Sequence, residues 1–446
     1  MRALHGSDVF HLREEGFGRP AHTLKVAILG PRDGTPPDTD AFARWAARAL
    51  GERSPFRWQV HAGLVHLGRP MWSDATPHDD HVVRHTLEAP DRDLALDELL
   101  SRLAGDRLPR DRPLWRLWIV EGLGGGRLAA VLQMHHALAD GASSVRIWEE
   151  LFTDEAPAAV ALPPHRPAPD MVAALRRHGR ALRDVPHLLS RMRANSAAEK
   201  SQPPAPARTA TYFEAPPTRF NQGLTRERTC TFATLSLATV KEVGHRLGGT
   251  VNDVYAAVSA GALRAYLLEH DSLPPDPLTA TMPAGVERGA PYGNAVSTWF
   301  VRLATDEGDP RARFNAVRVS LQAARELQAR DPSLLHDLQD HTRLYDVTWR
   351  LLAVAERRKG RPTFNLVISN VRGPGPLDWQ GHPVTTLRSI GPLAGRMGLN
   401  LTAWSYGDDF TVGLHACRDQ IPDLPRLAQL LEDELAILAA LDVEDE

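Results

Sequence analysis

The sequence has little cysteine, no long hydrophobic run and almost no net charge. Its 446 residues include only two cysteines, Cys230 and Cys417, which cannot form a disulfide framework and give no CxxC metal-binding spacing. Nowhere do about 18 uncharged apolar residues run together, so a transmembrane helix is not expected and any membrane contact has to be peripheral. Residues 1–15 also lack the apolar core of a secretory signal peptide.

Charge and composition exclude several further classes of protein. The chain carries 52 basic and 55 acidic residues, a net charge of −3, so it has neither the basic excess that favours nucleic acid nor an acidic tail. The hydrophobic fraction of 43% and the charged fraction of 24% exclude collagen-like, coiled-coil and wholly disordered chains. The low thiol count fits a reducing compartment, so we expect a cytoplasmic protein. From the length of the chain we expect two or three domains.

Two stretches rich in proline and alanine divide the chain. Residues 156–170 and 200–218 have compositions that hold no packed core and are typical of connectors. Between them, Met171–Asn195 has the apolar spacing and the many arginines of a basic amphipathic helix, interrupted at Pro186. We therefore predict an N-terminal domain over residues 1–165, a linker with this helix over 166–217, and a C-terminal domain over 218–446.

Each half of the chain alternates strand and helix patterns. In the N-terminal half, Trp115–Gly122 and Arg127–His135 are strand-like runs joined by three glycines, which indicates a hairpin. In the C-terminal half, Val251–Leu268, Arg311–Arg330 and Leu334–Arg358 are long helix candidates among short strands. Two α/β halves of similar size predict two similar domains with a cleft between them.

The segment Met134–Gly141 carries the most informative chemistry, since two histidines end an apolar strand and an Asp-Gly turn leads into a helix. A strand end with a structural histidine is one interpretation, which the two adjacent histidines and the aspartate weaken. A metal site is disfavoured, because His135 and His136 point to opposite faces of a strand and neither a cysteine nor an HxxxH pair lies nearby. The third interpretation is a general base, since a neutral imidazole can take a proton from a hydroxyl or an amine.

This segment, His135-His136-x-x-x-Asp140-Gly141, matches the HHxxxDG motif of the superfamily of CoA-dependent acyltransferases and condensation domains. Further elements, ordered along nearly the whole chain, resemble the bacterial wax ester synthase/diacylglycerol acyltransferase family, and their co-occurrence is far more specific than the motif alone. They are Pro113-Leu114-Trp115 (its PLW element), Asn252-Asp253 (ND), Gly293-Asn294 (GN), Ser369–Pro374 (SNVPGP) and Gly398–Gly407 (its penultimate strand).

Two segments depart from that family's pattern. Its Pro-x-Ser-x-Arg segment is here Pro283-Ala284-Gly285-Val286-Glu287-Arg288, which lacks the serine and displaces the arginine by one residue. Its SNVPGP element has Arg372 in place of the first proline. These departures leave the fold expectation intact, and they leave the acceptor and the affinity for acyl-CoA open.

The resemblance implies an α/β fold of two chloramphenicol-acetyltransferase-like domains with an active-site tunnel at their interface. Within the catalytic motif it implies that His136 is the general base and that His135 is structural and faces the opposite side. Asp140 would hold the loop by pairing with a basic residue, which we expect to be an arginine. Gly141 would permit the sharp turn.

Four polar residues outside the motif are candidates for supporting roles. Asn252 and Asp253 stand at a predicted helix start, where they either cap the helix or, by the resemblance, place Asn252 as a polar contact to the substrate or to a developing oxyanion. Ser369 and Asn370 either form a turn after a strand or, as in the family, lie near the active-site channel.

The activity implied by the resemblance is transfer of a long-chain fatty acyl group from acyl-CoA, a co-substrate, to diacylglycerol or a long-chain alcohol. No metal and no other cofactor is needed. The basic helix Met171–Asn195 either lies on an anionic lipid surface, at the inner membrane face or a lipid droplet, or is a charged connector. Two alternatives stay open: an acyltransferase that uses a secondary-metabolite hydroxyl or amine, or a carrier-bound donor, and a catalytically silent lipid-binding protein.

Overall fold

The computed structural model describes residues 2–15, 19–61, 70–88, 92–152, 171–203, 208–286 and 292–442, without the side chains of residues 3, 92, 171–182, 336 and 342–346. The predicted connector 156–170 lies outside these residues. Glu287 and Arg288, which belong to the segment that departs from the family pattern, also lie outside them. The described helices are α1 (Gly6–Glu14), α2 (Thr39–Gly51), α3 (Arg92–Gly105), α4 (Gly141–Leu151), α5 (Met171–Lys200), α6 (Leu237–Arg246), α7 (Val251–Glu269), α8 (Pro310–Arg330), α9 (Leu334–Asp340), α10 (Thr342–Lys359) and α11 (Leu424–Ala439). The described strands are β1 (Arg2–Ala3), β2 (His22–Leu29), β3 (Trp58–His61), β4 (Met71–Asp74), β5 (Val82–Thr86), β6 (Trp115–Glu121), β7 (Leu128–His135), β8 (Arg228–Ser236), β9 (Thr279–Gly285), β10 (Val296–Arg302), β11 (Leu366–Arg372), β12 (Asp378–Trp379), β13 (His382–Ile390), β14 (Leu399–Tyr406) and β15 (Asp409–Cys417).

The described strands form two six-stranded sheets and a small three-stranded sheet. The first large sheet has the order β12-β13-β2-β7-β6-β5 and the second has the order β10-β9-β11-β14-β15-β8. Strand β13 comes from the segment predicted as the C-terminal domain, yet it pairs antiparallel with β2, with Ser389 opposite Lys25. Both halves of the sequence therefore contribute to the sheet that carries β7 and the motif at its end.

Strand β7 is buried along its whole length, which explains its nearly continuous apolar sequence. Alternate residues face two different hydrophobic clusters, as the twofold period of a strand requires. Ala130 and Leu132 pack in a cluster with Trp148 of α4, whereas Ala129 and Val131 pack in a cluster with the leucines of α3. This burial on both faces fixes the point at which the two motif histidines leave the sheet.

The glycine hairpin predicted between residues 122 and 127 is confirmed, since β6 and β7 pair antiparallel and Gly125 and Gly126 have positive φ angles of 70° and 67°. The helix predicted over Leu334–Arg358 is instead broken at His341, whose ψ of 63° interrupts the helical path and separates α9 from α10. Helix α5 continues through Pro186 to Lys200, so the proline does not end the helix.

Helix α1 is a helix that the sequence pattern did not predict, because its buried residues surround the helix instead of forming one stripe. Its first turn contacts α9 directly. The backbone N–H of Gly6 donates to Oδ1 of Asp340 (2.8 Å), and a Cβ atom at Gly6 would lie 1.8 Å from the carbonyl oxygen of Gln339. Only a glycine therefore allows α1 to approach α9 this closely.

We expect the substitution Gly6→Ala to destabilise the protein by about 1–3 kcal/mol, because the added methyl group has to displace the backbone of α9. Urea unfolding measures this change. Gly223→Ala is the matched control, since a Cβ atom there meets no heavy atom within 4 Å. Equal unfolding midpoints for the two variants would contradict the close contact between α1 and α9.

Candidate functional site

The end of β7 places the two adjacent histidines in different surroundings. His135 is fully buried, its Nδ1 accepts a hydrogen bond from the N–H of Ala137 (3.1 Å), and its Nε2 lies 3.8 Å from a carboxylate oxygen of Glu15. His136 borders a large cavity, and its backbone N–H donates to the carbonyl of Ala21 (2.8 Å). In the described part of the chain, no group of three or more His, Cys, Asp or Glu side chains could hold a metal ion.

Asp140 connects the loop after β7 to the second half of the chain. Its side chain accepts hydrogen bonds from the N–H groups of Ser143 (2.9 Å), which caps α4, and of Ala295 (3.0 Å). The backbones add two bonds, from the N–H of Asp140 to the carbonyl of Gly293 (3.0 Å) and from the N–H of Gly293 to the carbonyl of Leu138 (2.9 Å). Asp140 thus holds two segments that are far apart in sequence.

The sequence suggested that Gly141 permits a sharp turn, but in the structure the absence of a side chain at Gly141 makes room for Val371. Gly141 is the first residue of α4, and a Cβ atom there would lie 2.5 Å from Cγ2 of Val371 in β11. The glycine that adopts a positive φ angle is Gly293, at 99°, in the segment that Asp140 holds. Gly141 therefore allows close packing between the two halves, and Gly293 provides the unusual backbone conformation.

Asn294 determines which nitrogen of His136 carries the proton. The Nδ2 group of Asn294 donates to the carboxylate of Asp8 (2.9 Å) and to the carbonyl of His136 (2.7 Å). Both partners are acceptors, so the amide orientation is fixed and its Oδ1 faces Nδ1 of His136 at 2.8 Å. Nδ1 must therefore donate, which leaves Nε2 as the nitrogen with a free lone pair.

The ring of His11 stacks on the ring of His136. Their centroids are 4.1 Å apart, the interplanar angle is 21°, and both residues line the cavity. Burial, followed by the charge of His136, holds the pKa of His11 well below its usual range. Burial also lowers the pKa of His136, with Lys25 as the next cause, while Asp140 and the bond to Asn294 oppose the shift. Both rings are thus neutral near neutral pH.

Lys25 is a cation whose charge interacts with that of Asp140, while the arginine partner expected for Asp140 stays a prediction. It is 4% exposed in the middle of β2, its ammonium donates to Oγ of Ser389 (2.8 Å), and it lies 5.0 Å from the ring centroid of Trp404. Burial lowers the pKa of Lys25 to about 7, and the nearby charge of Asp140 opposes that shift. A buried lysine beside a carboxylate can hold its charge where an isolated one could not.

The cavity beside His136 has a volume of about 1250 Å³ and is formed by both halves of the chain. Such a volume exceeds the range of about 300–1,000 Å³ usual for small-ligand sites. His136, Asp140 and Lys25 border it from the first half, and Ser369 and Asn370 border it from the second. Its apolar wall includes the side chains of Phe10, Tyr212, Phe300, Leu338, Trp349 and Phe364.

Of the four supporting residues predicted from the sequence, Asp253 caps a helix, whereas Ser369 and Asn370 border the cavity and Asn252 is hydrogen-bonded to Asn370. Asp253 is buried, forms a capping box with Thr250 at the start of α7, and pairs with Arg325 (3.0 Å). Asn370 borders the cavity, and its Nδ2 donates to Oδ1 of Asn252 (2.6 Å). Ser369 also borders the cavity. The turn suggested at Ser369-Asn370 begins later, because β11 continues through Arg372.

Three residues of this site were missed as functional candidates in the sequence. Asn294 was recognised only as part of a family motif, although its side chain contacts His136. Lys25 gave a usable signal, since it is one of four lysines in the chain and lies within an apolar strand. His11 gave none, because nothing local shows that α1 packs against the end of β7.

Comparison with known families gives a match over most of the chain. The model of the wax ester synthase/diacylglycerol acyltransferase catalytic domain matches residues 4–255, and the model of that family's C-terminal domain matches residues 292–439. A Mycobacterium tuberculosis protein that bears the name diacylglycerol O-acyltransferase is 35% identical to this chain over 92% of the chain and 91% of that protein.

Solved structures share the architecture. The wax ester synthase/diacylglycerol acyltransferase from Marinobacter aquaeolei VT8 covers 98% of this chain and 100% of its own, with a TM-score of 0.70 and 26% identity. The first condensation domain of the calcium-dependent antibiotic synthetase covers 99% of this chain and 96% of its own, with a TM-score of 0.63 and 17% identity, which shows the fold alone. The predicted α/β fold of two chloramphenicol-acetyltransferase-like domains is confirmed.

We expect Lys25→Met to raise the pKa of His136. The substitution removes a positive charge that disfavours the imidazolium and leaves the charge of Asp140 unopposed, so both changes act in the same direction. An NMR titration of the ring Cε1–Hε1 signals, assigned with His136→Gln, measures this pKa. Lys241→Met on the exposed face of α6 is the control. An unchanged or lower pKa in Lys25→Met would contradict the electrostatic coupling.

Proposed function

The chain belongs to the wax ester synthase/diacylglycerol acyltransferase family, and we propose that it moves a long-chain fatty acyl group from acyl-CoA to the hydroxyl of diacylglycerol or of a long-chain alcohol. The observation that carries this proposal is the tautomer of His136, which Asn294 fixes so that Nε2 is the basic nitrogen. A large cavity with an aromatic and aliphatic wall adjoins this base and suits a fatty acyl chain.

In the proposed reaction, His136 is the general base. The acceptor hydroxyl gives its proton to Nε2 as its oxygen attacks the thioester carbonyl carbon. The tetrahedral intermediate then collapses, the carbon–sulfur bond breaks, and the imidazolium returns the proton to the departing thiolate of CoA. The enzyme is unchanged after the cycle, and no acyl-enzyme is required because both substrates meet in one cavity.

The surroundings of His136 keep its ring neutral before the reaction and stabilise the imidazolium after the ring has accepted a proton. Burial and the charge of Lys25 keep the pKa of His136 below its ordinary value, so the ring starts as a neutral base. When the ring accepts a proton, Oδ1 of Asn294 already accepts the Nδ1–H, and the positive charge strengthens that hydrogen bond. Asn294 is thus a positioning residue for the base.

We further propose the Asn252–Asn370 pair as the polar contact to the reacting carbonyl. Asn370 borders the cavity, and the bond from its Nδ2 to Oδ1 of Asn252 holds the orientation of both amides. The remaining amide protons of the pair are able to donate to an oxygen that gains negative charge. A preorganised donor of this kind stabilises the transition state more than the ground state.

The proposed substrates and products are lipids, so we also propose that the protein works at a lipid surface, either the inner membrane face or a lipid droplet. Acyl-CoA and the lipid acceptor are the proposed partners of the site. A fatty chain that passes directly from a lipid phase into the apolar wall of the cavity does not have to cross water.

We expect His136→Ala to reduce acyl transfer by about 10²- to 10⁴-fold, the usual contribution of a well-placed base. CoA release from palmitoyl-CoA is measured with hexadecanol, with diacylglycerol and with no acceptor, for the wild type and the variant. Acceptor-dependent release that collapses in the variant supports the proposal and ranks the acceptors. Absence of release with both lipid acceptors, from folded protein, contradicts it and favours a different acceptor, a different donor or lipid binding alone.

We expect Asn294→Ala to lower kcat by roughly 10- to 100-fold with a smaller effect on KM, because a lost hydrogen bond to a charged group costs about 1.5–3 kcal/mol. Since the bond to Asn294 raises the pKa of His136, its loss also shifts the acidic limb of the pH–kcat profile to lower pH. An equal loss of activity with an unchanged pH profile would instead indicate a general structural effect. Circular dichroism checks that the variant is folded.

A further inference from the structure

Exposed apolar side chains of the described residues concentrate on one helix. Eight large apolar side chains are exposed, and three of them belong to α10: Val347 at 54%, Leu351 at 64% and Val354 at 45%. Their spacing of four and three residues places them along one side of the helix. None of the described helices combines the length and the apolar character that spanning a bilayer requires.

The other side of the same helix forms part of the cavity wall. Trp349, Leu352 and Glu356 of α10 border the cavity that also contains His136. Helix α10 therefore has two apolar sides, one toward the cavity and one toward solvent. A helix whose only contact was the protein core would carry polar residues on its outer side.

Basic residues flank the exposed apolar side. Arg350, Arg357 and Arg358 are exposed and have no acidic partner among the described side chains, and Arg350 and Arg357 also border the cavity. The only acid among residues 347–359 is Glu356, whose carboxylate accepts a hydrogen bond from the N–H of Thr363 (2.6 Å). The exposed side thus combines aliphatic groups with unneutralised positive charge.

The basic helix α5, for which the sequence left lipid contact and a connector role open, contacts the protein through several described side chains. Leu188 of α5 is buried against Leu338 of α9, with Met192 packed beside them. Arg191 binds both Asp331 (2.5 Å) and Asp337 (2.6 Å). These described contacts use part of the apolar face and part of the charge of α5 inside the molecule.

We propose that Val347, Leu351 and Val354, with Arg350, Arg357 and Arg358, form a surface that docks on an anionic lipid layer. This α10 surface deepens the proposed function, because it would bring the cavity wall to the phase that holds the lipid substrates. Helices with aliphatic residues on one face and arginines beside them bind anionic lipid interfaces in this way. Three side chains are too few for a stable protein interface, which needs about 20–30 residues on each side.

The experiment is flotation of the full-length protein with vesicles of phosphatidylcholine alone or mixed with phosphatidylglycerol. We expect the wild type to float with the anionic vesicles, and we expect the double variant Leu351→Glu/Val354→Glu to bind at least about tenfold more weakly. Leu268→Glu/Ile437→Glu is the matched control, because both residues are exposed and apolar but lie on α7 and α11. Thermal unfolding verifies that each variant folds.

A second pair of variants tests the charges. Arg357→Glu/Arg358→Glu is expected to weaken binding to anionic vesicles by at least about tenfold, since each basic residue near such a surface contributes about 1 kcal/mol. Arg183→Glu/Arg193→Glu on the exposed part of α5 is expected to bind almost as the wild type does. The reverse order of the two variants would overturn the assignment to α10 in favour of α5.

Other results also overturn the proposal. The proposal fails if the wild type floats with neither vesicle, or if the Leu268/Ile437 control loses as much binding as the α10 variant. It also fails if Leu351→Glu changes the sedimentation of lipid-free protein, because that result indicates a second copy of the chain as the occupant of the surface. Flotation does not require turnover. Binding by α10 without lipid acyl transfer would therefore contradict the proposed function and leave the surface supported.

Discussion

The hydrogen bonds between the loop after β7 and the segment Gly293–Ala295 are the constraint on which the rest of the site depends. They bring Asp140 against the backbone of Ala295 and bring the amide of Asn294 against His136. Hydrogen bonds to a charged group contribute about 1.5–3 kcal/mol each, and an unpaired buried carboxylate would cost more than that. The orientation of the base is therefore a property of the contact between the two halves of the chain.

Burial, more than any ion pair, controls protonation around this contact. The charge of Glu15 is met by Arg110 (2.7 Å), and burial lowers the pKa of His22 beside it to about 4. Burial likewise holds the pKa of His135 well below its usual range. These neighbouring histidines stay neutral at neutral pH, so they add no positive charge that would oppose an imidazolium at His136. The low-dielectric surroundings thus keep His22 and His135 neutral beside the ring of His136.

Sequence reasoning could predict those residues of the site that lie close to one another along the chain. His135, His136, Asp140 and Gly141 form one short motif at a strand end, and the family resemblance supplied the fold and the proposed activity. The partners of the motif are remote: Asn294 lies 158 residues after His136, and Ser389 lies 364 residues after Lys25. No local pattern shows that such segments meet, because tertiary packing alone brings them together. The pattern also could not show the break at His341, since apolar periodicity continues across it.

The path of the chain makes the two halves inseparable at the chemical level. Strand β13 leaves the C-terminal half to pair with β2, and this pairing puts Ser389 beside the ammonium of Lys25. Lys25 in turn acts electrostatically on both His136 and Asp140. The first half thus supplies the base, while the second supplies the amide that orients it and the hydroxyl that holds the nearby cation. A displacement of β13 would move the ammonium of Lys25 and so change the pKa of His136, even if the motif loop itself did not move. The crossover strand β13 therefore supports the chemistry of the site as well as the fold.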